Sequence, residues 1–135
     1  MVDRERLIRL LDRVRRDRQR LAALGADLSE ADLDAVKYRF ITLIEGAARI
    51  AHHLAVSEGW GAPDTNATAF TELAQRRVLD GELASRLAAA SAFRNVLVHQ
   101  YTEVDDDRVV ANLHRLGDFD AFVDQIGRWL VAQDE

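Results

Sequence analysis

Four polar residues near the end of one helical segment could carry chemistry. From Arg94 to Tyr101 the sequence reads "RNVLVHQY", which places an arginine, an asparagine, a histidine and a tyrosine within eight residues. Arginine can hold a phosphate, histidine transfers protons near neutral pH, and the tyrosine hydroxyl donates or accepts a hydrogen bond. This set suits RNA cleavage without a metal, in which a base takes the ribose 2′-hydroxyl proton and a cation stabilises the charge on phosphorus.

Each of these residues has a candidate role in such a reaction. His99 would be the acid and base, Arg94 would hold the negative charge, and Asn95 would bind the phosphate or orient His99. Glu45 borders the apolar face of a predicted helix over about residues 29–56. It is either a solvated residue or a carboxylate that pairs with an arginine of the predicted helix over about residues 82–98, which contains Arg94, and orients it. A structural alternative stays open, in which Arg94, His99 and Tyr101 only tie the helix end to its neighbours.

One straight helix does not bring these side chains together. With Phe93 set at 0° and about 100° per residue, Arg94 lies at about 100° and Tyr101 at about 80°, whereas His99 lies at about −120°. Either the helix ends near Val98 and turns His99 back, or a second copy of the chain completes the site.

Five helices are predicted from apolar residues at three- and four-residue spacings. They cover about residues 3–23, 29–56, 67–77, 82–98 and 108–133. Gly25 is a plausible end of the first helix, and Ser29 followed by Asp32 predicts an N-cap for the second. No segment alternates as a strand would, so the sequence predicts an all-α, up-and-down helical bundle that forms a single domain over residues 1–135.

Small and aromatic residues refine this prediction. Gly46 and the alanines after it allow a partner helix to approach the second helix closely. Gly117 could bend the last helix. Trp60 lies in the clearest loop, where we expect it to fold over the end of the bundle rather than to serve as an exposed contact residue.

Composition narrows the class of protein. The chain has 135 residues, of which 48% are hydrophobic and 30% charged, as expected of a folded domain. It has no cysteine, which excludes thiol catalysis, disulfides and cysteine-based zinc sites. Because no apolar run suits a signal peptide or a membrane span, we expect a cytoplasmic protein with no membrane partner.

The histidines outside the motif do not predict a metal site. His52 and His53 are adjacent, so on a helix they point about 100° apart and do not chelate one ion as an i, i+4 pair does. We expect one of them to fill a polar gap and the other to face solvent. His114 has no companion and is expected at the surface.

Charge is distributed unevenly along the chain. The net charge is −5, yet residues 1–25 hold eight arginines against four acids, and residues 102–135 hold three arginines against nine acids. Two solvated helix faces would explain this pattern. A basic surface for RNA phosphates and an acidic one for a basic partner would also explain it.

The polar cluster carries a resemblance to a known family. Arg94, four residues, His99, one residue and Tyr101 resemble the motif of the HEPN superfamily, which is an arginine, four to six residues, a histidine, one residue and a tyrosine. The flanking segments "GAPDTNATAFTELAQRRVLDGELASRLAAASAFRN" and "SAFRNVLVHQYTEVDDDRV" resemble the HepT-like toxin branch. The likeness covers about residues 30–130.

The resemblance implies a fold, an activity and a partner. It implies a helical bundle that forms a homodimer, with the motif in a cleft at the interface, and a metal-independent ribonuclease that acts through Arg94 and His99 with Asn95 in support. Such a protein is the toxin of a two-gene toxin–antitoxin system, whose antitoxin is a minimal nucleotidyltransferase (MNT). The antitoxin would transfer AMP from ATP to Tyr101, so this chain would need no cofactor. A bulky, charged AMP group would block and repel an RNA phosphate.

One departure from the branch leaves alternatives open. The resemblance implies an acidic residue one turn after Glu45, where this chain has Arg49, so Glu45 would have to orient the motif arginine alone or activity would be weaker. The chain could instead be a non-catalytic helical module that binds a partner nucleotidyltransferase. A third alternative is regulation through dimer surfaces, with a motif that is purely structural.

Overall fold

The chain folds as an all-α bundle, as its sequence predicts. A computed structural model describes residues 3–24 and 28–133, and within these ranges it contains six helices and no strand. The helices are α1 (Arg4–Ala23), α2 (Glu30–Ser57), α3 (Asn66–Gln75), α4 (Gly81–His99), α5 (Asp106–Leu113) and α6 (Gly117–Ala132). Gly25, the predicted end of the first helix, lies outside the described residues. None of the six helices is long and apolar enough to cross a lipid bilayer.

Helix α2 is the spine of the bundle and contacts α1, α3, α4 and α5. It begins with the predicted cap: the Ser29 side chain accepts from the backbone of Asp32, whose carboxylate accepts from the Ser29 backbone. The predicted close approach of a partner helix is also confirmed. A Cβ atom added to Gly46 would lie 3.2 Å from Cγ2 of Val14, so α1 packs directly against the α2 backbone there.

A continuous apolar core fixes α4 against α2. Phe40 of α2 and Phe93 of α4 meet edge to face, with ring centroids 5.8 Å apart, and both are buried. Complete burial of a side chain of this size contributes roughly 1.5–3 kcal/mol of transfer free energy. Because Phe93 precedes Arg94 directly, the core also sets where Arg94 emerges from α4.

The last helical segment differs from the prediction. A single bent helix over residues 108–133 is wrong, because α5 ends at Leu113 and α6 begins at Gly117. Between them the backbone makes hydrogen bonds of the 3₁₀ type, from an N–H to the carbonyl three residues earlier. The N–H of Arg115 donates to the carbonyl of Asn112, and the N–H of Asp118 donates to the carbonyl of Arg115, both at 3.1 Å. Leu116 is buried in the core at this break, and its packing gives α6 a different direction from α5.

Trp60 lies where the sequence predicts it. Its ring meets that of Trp129 edge to face at a centroid distance of 6.2 Å, and the Arg76 guanidinium lies 5.4 Å from its centroid. The tryptophan therefore closes one end of the bundle, between the α2–α3 loop and α6.

Candidate active site

An arginine and a glutamate join α4 to α2 at the motif. Nη2 of Arg94 donates a hydrogen bond to Oε1 of Glu45, so the predicted pairing of this carboxylate with an arginine of the fourth helix is confirmed. The Arg94 side chain is 24% exposed and that of Glu45 is 41% exposed. The guanidinium is thus half-buried and held by a carboxylate from a neighbouring helix.

The Arg94 guanidinium keeps hydrogen-bonding capacity beyond this pair. Nη1 donates to Oδ1 of Asn95 at 3.1 Å, whereas Nε is buried and has no hydrogen-bond partner among the described residues. Arginine has five N–H donors in a rigid plane. A guanidinium that is fixed on one side and unsaturated on the other can offer its remaining donors to an oxyanion.

Asn95 is hydrogen-bonded to Arg94 rather than to His99, whereas its predicted contact with a phosphate stays a prediction. Its side-chain oxygen accepts from Arg94, and it makes no hydrogen bond to His99 within the described part of the chain. The residue therefore supports the arginine rather than the histidine.

His99 is the last residue of α4 and is exposed. Helix α4 ends within one residue of the predicted position, Val98. His99 is nevertheless not turned back, because it is still helical and the N–H of Gln100 donates to the carbonyl of Val96 at 2.8 Å. Arg94 and His99 are five residues apart on a continuous helix, which separates them by about 7.5 Å along the axis and about 140° around it. One chain alone does not bring the two side chains together.

Tyr101 follows the end of α4 and turns toward α2. Its hydroxyl donates to the carbonyl oxygen of Asp34 at 3.1 Å, and the Oδ1 atom of the same residue lies at 3.4 Å. Burial raises the pKa of Tyr101, and the charge and hydrogen bond of Asp34 raise it further. The phenol is therefore protonated at neutral pH, and its proton points at Asp34.

Lys37 is a residue of this region that the sequence analysis missed. Its Nζ atom donates to the carbonyl of Tyr101 at 3.3 Å, lies 5.0 Å from the centroid of that ring, and lies 3.7 Å from Oδ1 of Asp106. The side chain is only 8% exposed. Since a buried ammonium needs partners, Lys37 fixes the segment after α4 against α2. The signal was present, because Lys37 is the only lysine of the chain and lies one turn before Phe40 on the apolar stripe of α2.

Arg49 stands where the family resemblance implies an acid, and it is exposed. It lines a small cavity of about 40 Å³ together with Arg13 and Glu45. Among the described residues, Glu45 is the one carboxylate that contacts Arg94. The charge of Arg94 is therefore balanced by Glu45 without the second acid that the resemblance implies.

The paired histidines of α2 differ in their surroundings. Nε2 of His52 lies 3.0 Å from Oδ1 of Asn66, which confirms that one of the pair fills a polar gap. The other, His53, is partly buried and does not simply face solvent. Its Nε2 atom is buried with no hydrogen-bond partner among the described residues, and burial lowers the pKa of His53. His114 is exposed, as predicted. Within residues 3–24 and 28–133, no three histidines or carboxylates are grouped closely enough to hold a metal ion.

We expect Glu45→Gln to slow RNA cleavage by about tenfold without loss of the fold. The amide keeps an acceptor for Arg94 but removes the charge, and charge-assisted hydrogen bonds are roughly twice as strong as neutral ones. Single-turnover cleavage assays and thermal melts measure the two effects. Glu72→Gln is the matched control, because Glu72 pairs with Arg76 at 3.1 Å on α3, away from the motif. Equal cleavage by the two variants would show that Glu45 does not orient Arg94.

Comparisons with known proteins all point to the same family. The profile of the ribonuclease HepT-like family matches residues 5–126. The chain is 34% identical over 110 residues to a tRNA nuclease HepT from Aphanizomenon flos-aquae, which covers 80% of this chain and 75% of that protein. It is 33% identical over 94 residues to an mRNA nuclease HepT from Shewanella oneidensis, covering 69% of this chain and 71% of that protein.

Two solved structures with a similar fold come from toxin–antitoxin complexes. A tri-AMPylated HEPN toxin of Shewanella oneidensis in complex with an MNT antitoxin superposes with a TM-score of 0.84 at 27% identity, over 90% of this chain and 96% of that one. A toxin–antitoxin complex with AMP-PNP also gives a TM-score of 0.84, at 26% identity over 90% and 97% of the two chains.

Proposed function

Because the chain belongs to the ribonuclease HepT-like family, we propose that it is an endoribonuclease that acts as the toxin of a two-gene toxin–antitoxin system. The observation that carries the proposal is the Arg94–Glu45 pair. The pair holds a guanidinium whose side chain is still 24% exposed, so its remaining N–H groups can reach a phosphate. The relatives named as nucleases and the similar toxin–antitoxin complexes support the same activity.

The proposed reaction needs an acid, a base and a cation. The imidazole of His99 takes the proton of a ribose 2′-hydroxyl, and the resulting oxyanion attacks the adjacent phosphorus. Arg94 donates to the non-bridging oxygens as their charge grows. The bond to the 5′-oxygen breaks, and that oxygen takes a proton from the His99 imidazolium as it leaves, which restores the neutral imidazole. The products are a 2′,3′-cyclic phosphate and a 5′-hydroxyl end, and the step itself uses no metal or cofactor.

The site is proposed to be composite. Arg94 faces α2 and His99 lies about 140° around α4 from it, so a cleft between two copies of the chain is the simplest way to present both to one phosphate. His99 supports this arrangement, because it is exposed and its side chain makes no hydrogen bond within the described part of the chain. We therefore propose a homodimer in which each site uses Arg94 of one protomer and His99 of its partner.

Inactivation is proposed to occur at Tyr101, by an MNT-type antitoxin. The phenol oxygen would attack the α-phosphorus of ATP, losing its proton and releasing pyrophosphate, and the antitoxin would supply the catalytic groups. Support comes from the similar complex of an AMPylated toxin with its antitoxin and from the place of Tyr101 two residues after His99. The transfer has to release the hydroxyl from Asp34 first. Since the proposed substrate is cellular RNA, we propose that the protein works in the cytoplasm.

A non-catalytic module that binds a nucleotidyltransferase is the second candidate. The net charge of −5 disfavours RNA as a partner. The positive charge of the first helix is also partly neutralised, because Arg18 forms a bidentate ion pair with Asp120 of α6 at 2.9–3.1 Å. This candidate has no use for Arg94 and His99, and it predicts no growth defect when the chain is expressed alone.

One expression experiment tests the proposed function and the role of Tyr101 together. We expect expression of the chain without an antitoxin to arrest bacterial growth, and co-expression of its MNT-type antitoxin to restore growth. Tyr101→Phe should remain toxic in both conditions, because it lacks the oxygen that accepts AMP. Tyr38→Phe, a change of the exposed tyrosine of α2, should behave as the unaltered chain. Rescue of the Tyr101→Phe strain by the antitoxin would place neutralisation elsewhere, and normal growth of every strain would favour the non-catalytic module.

A further inference from the structure

One face of α1 carries a row of arginines with no acid among them. At about 100° per residue, five arginines of this helix fall within an arc of about 80°. Their spacing alternates between three and four residues, and we call them the arginine stripe: Arg6, Arg9, Arg13, Arg16 and Arg20. All five are exposed. Within residues 3–24 and 28–133, none of the five side chains has an ion-pair partner, so the stripe presents guanidinium groups that are open to solvent.

The stability of α1 does not explain the arginine stripe. Like charges three or four residues apart destabilise a helix, and the stripe repeats this spacing along its whole length. The acids of α1 lie outside the arc, since Asp12 pairs with Arg15 at 3.1 Å and Asp17 is buried against Arg39 of α2 at 3.6 Å. Glu5 lies just beyond one edge of it. A solvated helix face mixes charges of both signs, whereas a row of one sign attracts a polyanion.

The arginine stripe runs beside the motif. Arg13, at the middle of the stripe, lines the small cavity between α1 and α2 that Glu45 and Arg49 also line. Glu45 in turn holds Arg94. Arg49 is exposed and extends the positive surface from α1 onto α2. A polyanionic strand with one phosphate at Arg94 can therefore continue along α1.

We propose that the arginine stripe binds the phosphate backbone of the RNA substrate on one side of the scissile bond. Contacts to phosphates fix the position of a strand without reading its bases, so the stripe would supply affinity rather than sequence preference. From Arg6 to Arg20 it is about 21 Å long, which is the length of about six nucleotides at the roughly 3.4 Å per nucleotide of a stacked strand.

The acidity of the whole chain does not oppose this proposal. The net charge is −5, but exposed charges more than about 10 Å apart are largely screened at about 0.1 M salt. A bound strand therefore responds mainly to the charges beside it, which are those of the stripe. The inference rests on the proposed function, because it takes RNA as the substrate.

The affinity for RNA and its salt dependence test the arginine stripe. The protein is the His99→Ala variant, so that RNA stays intact, and it is titrated with a labelled single-stranded RNA of about 12 nucleotides, roughly twice the length of the stripe. Adding the double change Arg9→Gln/Arg16→Gln should weaken binding by about 20-fold at about 0.1 M salt. The slope of log Kd against log salt should fall by about 1.4, since each phosphate contact to a single strand contributes about 0.7.

The double change Arg15→Gln/Arg128→Gln is the matched control. It removes the same charge from the chain, but both arginines are exposed and already pair with an acid of their own helix. Its affinity and salt slope should equal those of the His99→Ala parent, and both double variants should keep the melting temperature of the parent. Equal affinities and equal salt slopes of the two double variants would overturn the proposal.

Cleavage kinetics in chains that keep His99 distinguish this surface from the catalytic site. Arg9→Gln/Arg16→Gln should raise KM by about 20-fold and leave kcat unchanged, because a contact made equally in the ground state and the transition state affects binding alone. A fall in kcat with an unchanged KM would contradict a binding surface. Normal RNA binding with loss of antitoxin binding would assign the stripe to an acidic protein partner and would also overturn the proposal. Failure of the proposed function would show separately, as absence of cleavage by the unaltered chain.

Discussion

We expect replacement of His99 by alanine to lower the rate of RNA cleavage by about 100- to 10,000-fold, because the variant would lose the group proposed to move the proton. The fold should survive, since His99 is exposed at the end of α4 and its side chain makes no hydrogen bond within the described residues. Single-turnover cleavage assays give the rate, and a thermal melt gives the stability.

His114→Ala is the control for this variant, because His114 is exposed just after α5 and lies outside the motif. It should cleave at the unaltered rate. If the motif is purely structural, His99→Ala would instead lower the melting temperature and no cleavage would be present to lose. Cleavage by His99→Ala at the rate of His114→Ala would exclude His99 as the acid and base.

Mixed dimers of two inactive variants should recover cleavage. The Arg94→Ala variant alone should cleave RNA about 100- to 1,000-fold more slowly, which is the effect of removing one donor to a developing oxyanion. When Arg94→Ala and His99→Ala chains are co-expressed with different tags and the mixed dimer is isolated, one of its two sites has both residues. That dimer should cleave at about half the rate of the unaltered dimer, from the ratio of intact sites.

The mixed dimer distinguishes a shared site from one within a single chain. Each inactive variant, purified alone by the same two-tag procedure, is the control and should stay inactive. If Arg94 and His99 of one chain act together, the mixed dimer would contain no intact site and would stay inactive as well. That result would leave the two residues essential but would overturn the composite cleft.

Much of the fold could be predicted from local patterns. Apolar spacing identified α1 to α4 to within two residues, because each helix has a continuous apolar face against the core. The N-cap at Ser29 and the close approach at Gly46 also follow from residue type alone. The break between α5 and α6 could not be predicted in this way. Glycine at position 117 is compatible with a bent helix or with the end of one helix, and the burial of Leu116 in the core decides between the two.

The site was less predictable than the fold. The ion pair of Arg94 with Glu45 could be anticipated, because both lie beside apolar faces that must meet. The end of α4 was predicted to within one residue, but the direction of the His99 side chain was not, because it depends on whether the helix continues through that residue. The contact of Tyr101 with Asp34 spans 67 residues of sequence. The packing of α4 and its following turn on α2 sets that contact, and no local pattern encodes it.

The most direct test of the account is RNA cleavage by the purified chain, free of any antitoxin, in a buffer that contains EDTA. We predict cleavage under these conditions, with 2′,3′-cyclic phosphate and 5′-hydroxyl ends, and its loss in His99→Ala protein prepared in the same way. The absence of cleavage until a divalent cation is added, or the same cleavage by His99→Ala, would contradict a metal-independent ribonuclease that acts through the motif.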